Sequence, residues 1–216
     1  MTHEFKRIVE AYQSASEKGI KTVLATVVAL DGSSYRKPGV RMLLLESGKM
    51  IGAVSGGCVE KEILLQSKSV FDTSIPKVMT YDGRYRLGCE GVLYILIEPF
   101  SLSPLFIDTF SKAIKNRFNF KISSFFKKEE ITELGLGTRV QFQDTTLPVS
   151  LKYAINPELK VFEERMTPCF KLLIIGAEHD AVLLCSFASM MGWEVAVILH
   201  PLEDKNALDF PGVTDF

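Results

Sequence analysis

The sequence predicts an α/β fold in two parts: a mixed-sheet N-terminal α/β domain over residues 1–167 and a truncated βαβ unit over residues 168–216. Three observations predict it. Apolar runs rich in β-branched residues alternate with amphipathic helical stretches in the first hundred residues. Short apolar runs separated by turn residues follow between residues 118 and 161. Beyond Thr167-Pro168 the order is strand, glycine turn, helix and strand, which is the pattern of a parallel crossover.

The first part opens with a helix and continues as strands. Residues 5–12 place their apolar side chains on one helical face. The run 21–30 is nearly all apolar, as expected for a strand covered on both faces. A hairpin turn is predicted at Ser47-Gly48-Lys49. The remaining strands are predicted at residues 40–46, 50–54, 77–81 and 92–98.

Two helices and a second group of strands complete the first part. One helix is predicted to begin at Cys58, and another at Ser103-Pro104, where proline suits the first helical position. A few antiparallel strands are predicted within residues 118–161. In the second part the strands are predicted at 170–175 and 193–199, with a helix at 181–191 between them.

The second part has fewer strands than a doubly wound domain needs, because only residues 201–216 follow its second strand. We therefore expect it to be shortened. Its sheet would carry an open edge unless the first domain or another chain covers that edge.

Composition excludes several classes of partner. A chain of 216 residues, 47% apolar and 24% charged, can bury a sizeable core. A net charge of −1 gives no electrostatic basis for binding nucleic acid or an anionic membrane. No apolar run approaches the ~20 residues that span a bilayer. The four cysteines form no Cys-x-x-Cys pair and are too sparse for a disulfide scaffold, so we expect a cytoplasmic protein.

The most informative segment is residues 52–63, where a short strand leads through Ser55-Gly56-Gly57 to Cys58 in the first turn of a helix. The glycines let backbone N–H groups approach a ligand, and a helix N-terminus presents unsatisfied donors with partial positive charge. A thiol in that position ionises more readily than an ordinary cysteine. The segment is therefore suited to an anion or a soft metal centre.

Two arginines lie in the loop before the second strand. Arg36 and Arg41 bracket Pro38-Gly39 and are placed to clamp a phosphate in fork geometry. Their alternative role is that of ordinary loop and strand charges.

The other cysteines differ in their surroundings. Cys89 lies in a glycine-flanked loop, and would meet Cys58 if the strands at 50–54 and 92–98 lie close together. Cysteine is often a small buried hydrophobe, which is what we expect of Cys169 and Cys185.

Three blocks of sequence resemble the xanthine dehydrogenase accessory family of the XdhC/CoxI type. They are residues 32–42 (GSSYRKPGVRM), residues 52–60 (GAVSGGCVE) and residues 88–91 (GCEG), the last of which precedes the strand at 92–98. The order and spacing of the blocks match, and the βαβ unit stands where that family has its Rossmann-like domain.

The resemblance implies a protein that binds the molybdenum cofactor and assists its maturation and its insertion into a xanthine dehydrogenase-type molybdenum hydroxylase. In that family the role is that of a chaperone working beside a sulfur donor, more than that of a classical enzyme. Cys58 would act as a transient metal ligand or carry sulfur, with Cys89 as a second reactive thiol. The predicted cofactor-binding residues are Arg36, Arg41, Ser55, Gly56, Gly57, Cys58, Glu60, Gly176 and Ala177.

The turn of the βαβ unit departs from a dinucleotide fingerprint. Gly176 and Ala181 fit the outer positions of Gly-x-Gly-x-x-Gly/Ala, but Glu178 stands at the middle position, where it obstructs and repels a pyrophosphate. NAD binding is therefore not expected. The family pattern has glycine there and also at Glu90, so a degenerate or truncated member that acts as a scaffold remains an alternative.

A second alternative is a nucleotide-dependent oxidoreductase that uses Gly176 and the following helix. For the leading hypothesis the expected partners are the hydroxylase apo-enzyme and a sulfur donor. A homo-oligomer that covers the open sheet edge is also expected.

Overall fold

A computed structural model describes residues 2–34, 37–55, 57–84, 91–152 and 154–216. These residues form two compact units, His3–Thr167 and Pro168–Phe216. Each unit has a hydrophobic core of its own.

The first unit contains three long helices and two antiparallel sheets among its described residues. The helices are α1 (Thr2–Ser16), α2 (Cys58–Thr73) and α3 (Pro104–Lys115). The strands are β1 (Thr22–Asp31), β2 (Arg41–Leu45), β3 (Met50–Gly52), β4 (Lys77–Asp82), β5 (Val92–Pro99), β6 (Phe120–Phe126), β7 (Ile131–Thr132), β8 (Gly137–Gln141), β9 (Thr146–Pro148) and β10 (Lys160–Met166).

The first sheet has the strand order β3-β2-β1-β5-β4-β7. All its described pairings are antiparallel, and the predicted hairpin between β2 and β3 is confirmed. The central strand β1 is buried along most of its length because both faces of the sheet are covered.

One face of the first sheet packs against α2, where Val23, Ala25 and Met42 meet Val59 and Ile63. The opposite face packs against α1, α3 and the second sheet through a core rich in phenylalanine. In that core the rings of Phe5 and Phe110 meet edge to face with centroids 5.7 Å apart. The unit is therefore layered, with the first sheet at its centre.

The second sheet has the strand order β10-β6-β8-β9, again antiparallel throughout. It confirms the few antiparallel strands predicted for residues 118–161. Strand direction therefore alternates across both sheets of the first unit, because each described strand pair there runs antiparallel. The parallel pair lies in the second unit.

The second unit is a βαβ unit. Strands β11 (Lys171–Ile175) and β12 (Glu194–Ile198) pair in parallel, with helix α4 (His179–Met190) between them in sequence. The predicted βαβ order is confirmed, and α4 begins two residues earlier than expected. A short 3₁₀ helix, Ala207–Asp209, follows.

The two edges of this small sheet differ. Beyond β12, Asp215 forms a parallel bridge with Ala196, and the Thr214 N–H donates to the Val195 carbonyl at 2.8 Å. On the other side, β11 pairs with β12 alone within the described ranges.

None of the helices in the described part of the chain combines the length and apolar character that a membrane crossing requires.

Candidate functional site

The register of the first sheet brings the flanks of all three sequence blocks to one end of that sheet. Asp31, the last residue of β1, lies opposite Val92, the first residue of β5. Gly52, the last residue of β3, lies opposite Met42 near the start of β2. The loops that carry the blocks therefore leave or enter the sheet at the same end.

Several predicted site residues fall outside the described part of the chain. These are Arg36, Gly56, Cys89 and, beside Cys89, Glu90. The backbone of Cys58 begins α2, but the thiol itself lies outside the described atoms.

The loop that leads into α2 is organised by the carboxylate of Glu60. One oxygen, Oε1, accepts the backbone N–H groups of Val54 at 3.1 Å and Ser55 at 2.6 Å. The other oxygen, Oε2, accepts the Ser55 hydroxyl at 2.6 Å and the Gly57 N–H at 2.9 Å. Four donors thus converge on a side chain that is only 7% exposed. Glu60 ties the end of the loop to the first turn of the helix, as in a capping box.

These hydrogen bonds keep Glu60 ionised. Burial raises the pKa of the carboxyl, but the hydrogen bonds from the Ser55 hydroxyl and from the loop backbone outweigh burial and lower the pKa below its ordinary value. The start of α2 therefore already carries a negative charge supplied by the chain itself.

Two glycines shape this loop in different ways. Gly57 has φ +120°, and a side chain there would meet no atom of the described residues within 4 Å, so among these residues open space adjoins the start of α2. Gly52 has φ +87°, and a Cβ there would lie 2.7 Å from the Arg41 carbonyl oxygen. The loop can leave β3 so close to β2 because residue 52 has no side chain.

Arg41 lies in the interior, with its side chain 3% exposed. Its Nη1 donates to Glu164 Oε2 at 2.7 Å and to the Gly39 carbonyl at 2.9 Å. The guanidinium lies over the Phe5 ring, 5.8 Å from its centroid. Its Nε and Nη2 are buried without a hydrogen-bond partner among the described residues. The described partner of Arg41 is thus a carboxylate of the chain itself, and Arg36 lies outside the described residues. The phosphate clamp of Arg36 and Arg41 therefore stays a prediction.

A small cavity of about 30 Å³ adjoins Arg41, between the first turns of α1 and the end of β3. Gly52 and Ala53 line it on one side, and Glu4 and Arg7 on the other. Its volume is sufficient for one water molecule.

A second buried carboxyl, Glu98, was not recognised from the sequence. It is fully buried near the end of β5 and accepts the Thr138 N–H at 2.9 Å and the Thr138 hydroxyl at 2.6 Å. The Thr138 hydroxyl also lies 2.8 Å from that of Ser124. Burial raises the pKa of Glu98 to about 7, although the Thr138 hydrogen bonds and the charge of Arg41 oppose the rise. The sequence signal that could have indicated this buried carboxyl is the presence of an acid within the otherwise apolar strand β5.

The expected closeness of Cys58 and Cys89 depended on neighbouring strands at 50–54 and 92–98. In the sheet, β3 and β5 are separated by β2 and β1. At ~4.8 Å per strand spacing, they lie about 14 Å apart. A meeting of the two thiols therefore depends on the loops rather than on adjacent strands. Within the described residues no group of three or more His, Cys, Asp or Glu side chains is arranged to hold a metal ion.

In the second unit, the predicted site residues lie at the turn between β11 and α4. Gly176 has φ +135°, and a side chain there would meet nothing within 4 Å in the described part of the chain. The Ala177 carbonyl accepts a hydrogen bond from Lys205. Glu178 directly precedes α4 and forms no side-chain capping hydrogen bond within the described part of the chain.

The two remaining cysteines also lie in the second unit. Cys185 is fully buried in the core of this unit, as predicted, and burial raises the pKa of its thiol. Cys169 is partly exposed.

Residues 15–82 of this chain match the XdhC and CoxI family. The resemblance predicted from the sequence is thereby confirmed. Among particular relatives, a probable subunit of xanthine dehydrogenase from Bacillus subtilis (strain 168) is 27% identical over 194 residues, which are 82% of this chain and 59% of that protein. The molybdenum cofactor insertion chaperone PaoD of Escherichia coli (strain K12) is 26% identical over 217 residues, which cover 97% of this chain and 63% of that protein.

The predicted α/β class is confirmed by a crystal structure described as a xanthine dehydrogenase from Bacillus halodurans. It superimposes with a TM-score of 0.76 at 21% identity, over 96% of this chain and 67% of that one. The chain thus spans about six tenths of the length of the two sequence relatives, 59% and 63%.

Proposed function

We propose that this chain is a molybdenum-cofactor-binding accessory protein, which assists maturation of the cofactor and its insertion into a xanthine dehydrogenase-type molybdenum hydroxylase. The observation that carries the proposal is that the strand residues flanking the three sequence blocks lie at one end of the first sheet, with the backbone of Cys58 beginning α2. The similarity to a cofactor insertion chaperone supports it. In this role the chain binds and delivers a cofactor instead of turning over a substrate.

The residues at this end of the sheet fit such a ligand. Thiolate is a soft ligand that suits a molybdenum centre, and Cys58 supplies a thiol at the first position of α2. The open space beside Gly57 leaves room for a bound group at the same point. The cofactor would supply the metal centre, and the chain would hold and orient it. Contacts from Ser55, Gly56 and Arg36 to the polar parts of the cofactor belong to the proposal.

The direct test replaces the thiol. Cys58→Ala is expected to weaken binding of the isolated molybdenum cofactor by roughly tenfold or more, because a metal–sulfur bond is lost. Retained molybdenum and pterin are measured after gel filtration. Cys169→Ala, a partly exposed cysteine of the second unit, is the matched control and should bind as the wild type does. Equal binding by Cys58→Ala and the wild type would remove Cys58 from the site.

The proposed partners are the hydroxylase apo-enzyme and a sulfur donor, together with a second copy of this chain. The second unit favours self-association, because β11 buries Ile174 but exposes Leu173 and Ile175, and α4 exposes Phe187 and Met190. Light scattering after size exclusion tests this part, and a monomer at all protein concentrations would count against it.

We also propose that the second unit binds no NAD. Glu178 precedes α4 at the point where a pyrophosphate would approach the helix N-terminus, and its carboxylate repels a phosphate. Calorimetry with NAD, NADP and FAD tests the proposal. Heat of binding with any of them would revive the nucleotide-dependent alternative.

A further inference from the structure

The carboxylate of Glu60 uses both of its oxygens inside the loop. Each oxygen accepts two hydrogen bonds, from Val54 and Ser55 on one side and from Ser55 and Gly57 on the other. These donors are the ones that a glycine-rich turn before a helix would otherwise offer to a phosphate. The chain has therefore filled its own anion site.

We propose that Glu60 is a positioning residue. Its carboxylate occupies the place of a ligand anion at the start of α2 and fixes the loop that leads to Cys58. This loop therefore receives the metal end of the cofactor and not its phosphate. The identity of the cofactor rests on the function proposed above. The occupation of the anion site by Glu60 does not.

Charge and geometry both support this assignment. A phosphate at the same donors would have to displace a carboxylate held by four hydrogen bonds, and it would bring a second negative charge beside the first. Glu60 is also too enclosed to reach a ligand itself, because it is 7% exposed. Its effect on a ligand must therefore pass through the loop and Cys58, which lies two residues before it.

Glu60→Gln tests the positioning role. Glutamine keeps the size of the side chain, but its amide N–H₂ group would face the hydrogen-bond donors of the loop, where the carboxylate has an accepting oxygen. Either orientation of the amide breaks hydrogen bonds that the carboxylate accepts. We expect the rate at which iodoacetamide alkylates Cys58, followed by peptide mass spectrometry, to change by roughly threefold or more as the loop loses its fixed geometry.

The matched control is Glu62→Gln on the same helix, where the carboxylate accepts a hydrogen bond only from Gln66 among those described, at 2.9 Å. It should leave the alkylation rate unchanged. Ser55→Ala removes one hydroxyl donor to Glu60 and should change the rate in the same direction by a smaller factor. It also keeps the test decisive if Glu60→Gln fails to fold. An unchanged rate in both variants, or no alkylation of Cys58 in the native wild type, would overturn the positioning role.

Inorganic phosphate tests the occupied anion site without the cofactor. In ¹⁵N-labelled wild-type protein, phosphate should leave the amide resonances of Ser55 and Gly57 in place. In Glu60→Ala the freed donors should bind phosphate, and the same resonances should shift as it is added. Phosphate shifts in the wild type would overturn the inference. If the phosphate results are as expected but the wild type does not bind molybdenum cofactor, the proposed function is wrong and the inference about Glu60 still holds.

Discussion

Glu98 is a buried acid whose surroundings favour its protonated form. It lies between the two sheets of the first unit, where desolvation raises its pKa to about 7. A protonated Glu98 can donate to the Thr138 hydroxyl, which can in turn donate to Ser124. At mildly acidic pH, the Glu98 carboxyl is therefore expected to take up a proton when the chain folds.

This proton sets the sign of a pH dependence. Between pH 4.5, the ordinary pKa of the carboxyl, and about 7, the unfolded chain loses the proton while the folded chain keeps it. The contribution of Glu98 to the free energy of unfolding should therefore fall as pH rises through this window, by roughly 3 kcal/mol in all. Glu98→Gln is neutral at every pH and should flatten this part of the profile. Urea unfolding of both proteins at pH 4.5 to 8 measures the difference.

The exposed Glu158 provides the control for this measurement. Glu158→Gln should reproduce the wild-type profile. Parallel profiles for the wild type and Glu98→Gln would mean that folding does not raise the pKa of Glu98.

At the scale of elements, the β2–β3 hairpin positions the candidate site. Gly48 closes its turn with φ +86°, and Gly52 ends it with φ +87°. The two glycines share a backbone conformation but differ in the space around them. Only Gly52 lies against another strand, where its missing Cβ would meet the Arg41 carbonyl.

The pair makes a matched test of close strand approach. Gly48→Ala should cost about 1 kcal/mol of stability, for backbone strain alone. Gly52→Ala should cost about 1–3 kcal/mol more, because β3 must move away from β2. It should also weaken the proposed cofactor binding, since β3 leads directly into the loop before α2. Denaturant unfolding and cofactor retention measure the two effects, and equal costs at both positions would contradict the close approach.

The sequence pattern predicted where the helices and strands lie, but it did not predict which strands are neighbours in the sheets. The nearly all-apolar run at 21–30 forms strand β1, because a preference of β-branched residues for strands can be recognised from the local sequence. The order of strands is not local, so the separation of β3 from β5 by β2 and β1 was not foreseen.

The same limit applies to the site residues. Glu60 follows Ser55-Gly56-Gly57 closely in sequence, so its place at the helix start could be predicted, but its four accepted hydrogen bonds required the folded loop. The pairing of Arg41 with Glu164, distant in sequence, depends on the packing of one sheet on the other.

At the scale of the whole molecule, the two units have separate cores of unequal size. The second unit spans only residues 168–216, and its core centres on Cys185, Val195 and Phe210. A small core gives a marginal stability, so this unit should be the first to open.

Phe210→Ala should unfold the second unit selectively. Phe210 is 1% exposed, and deletion of a buried phenylalanine ring costs about 3–5 kcal/mol. Hydrogen exchange followed by mass spectrometry should show lost protection in β11 and β12 and full protection in β1 and β5. The control is Phe216→Ala, since that ring is 53% exposed and should change little. Lost protection in β1 would show that the two units unfold together.

The hairpin turn at Ser47-Gly48-Lys49 lies at the opposite end of β2 from the candidate site. A strand of five residues, Arg41–Leu45, places its two end residues about 14 Å apart. A fluorophore attached at the exposed Ser47 would therefore lie at the end of β2 away from the candidate site. The geometry of one short strand thus provides a reporter position for following the proposed cofactor hand-over in real time.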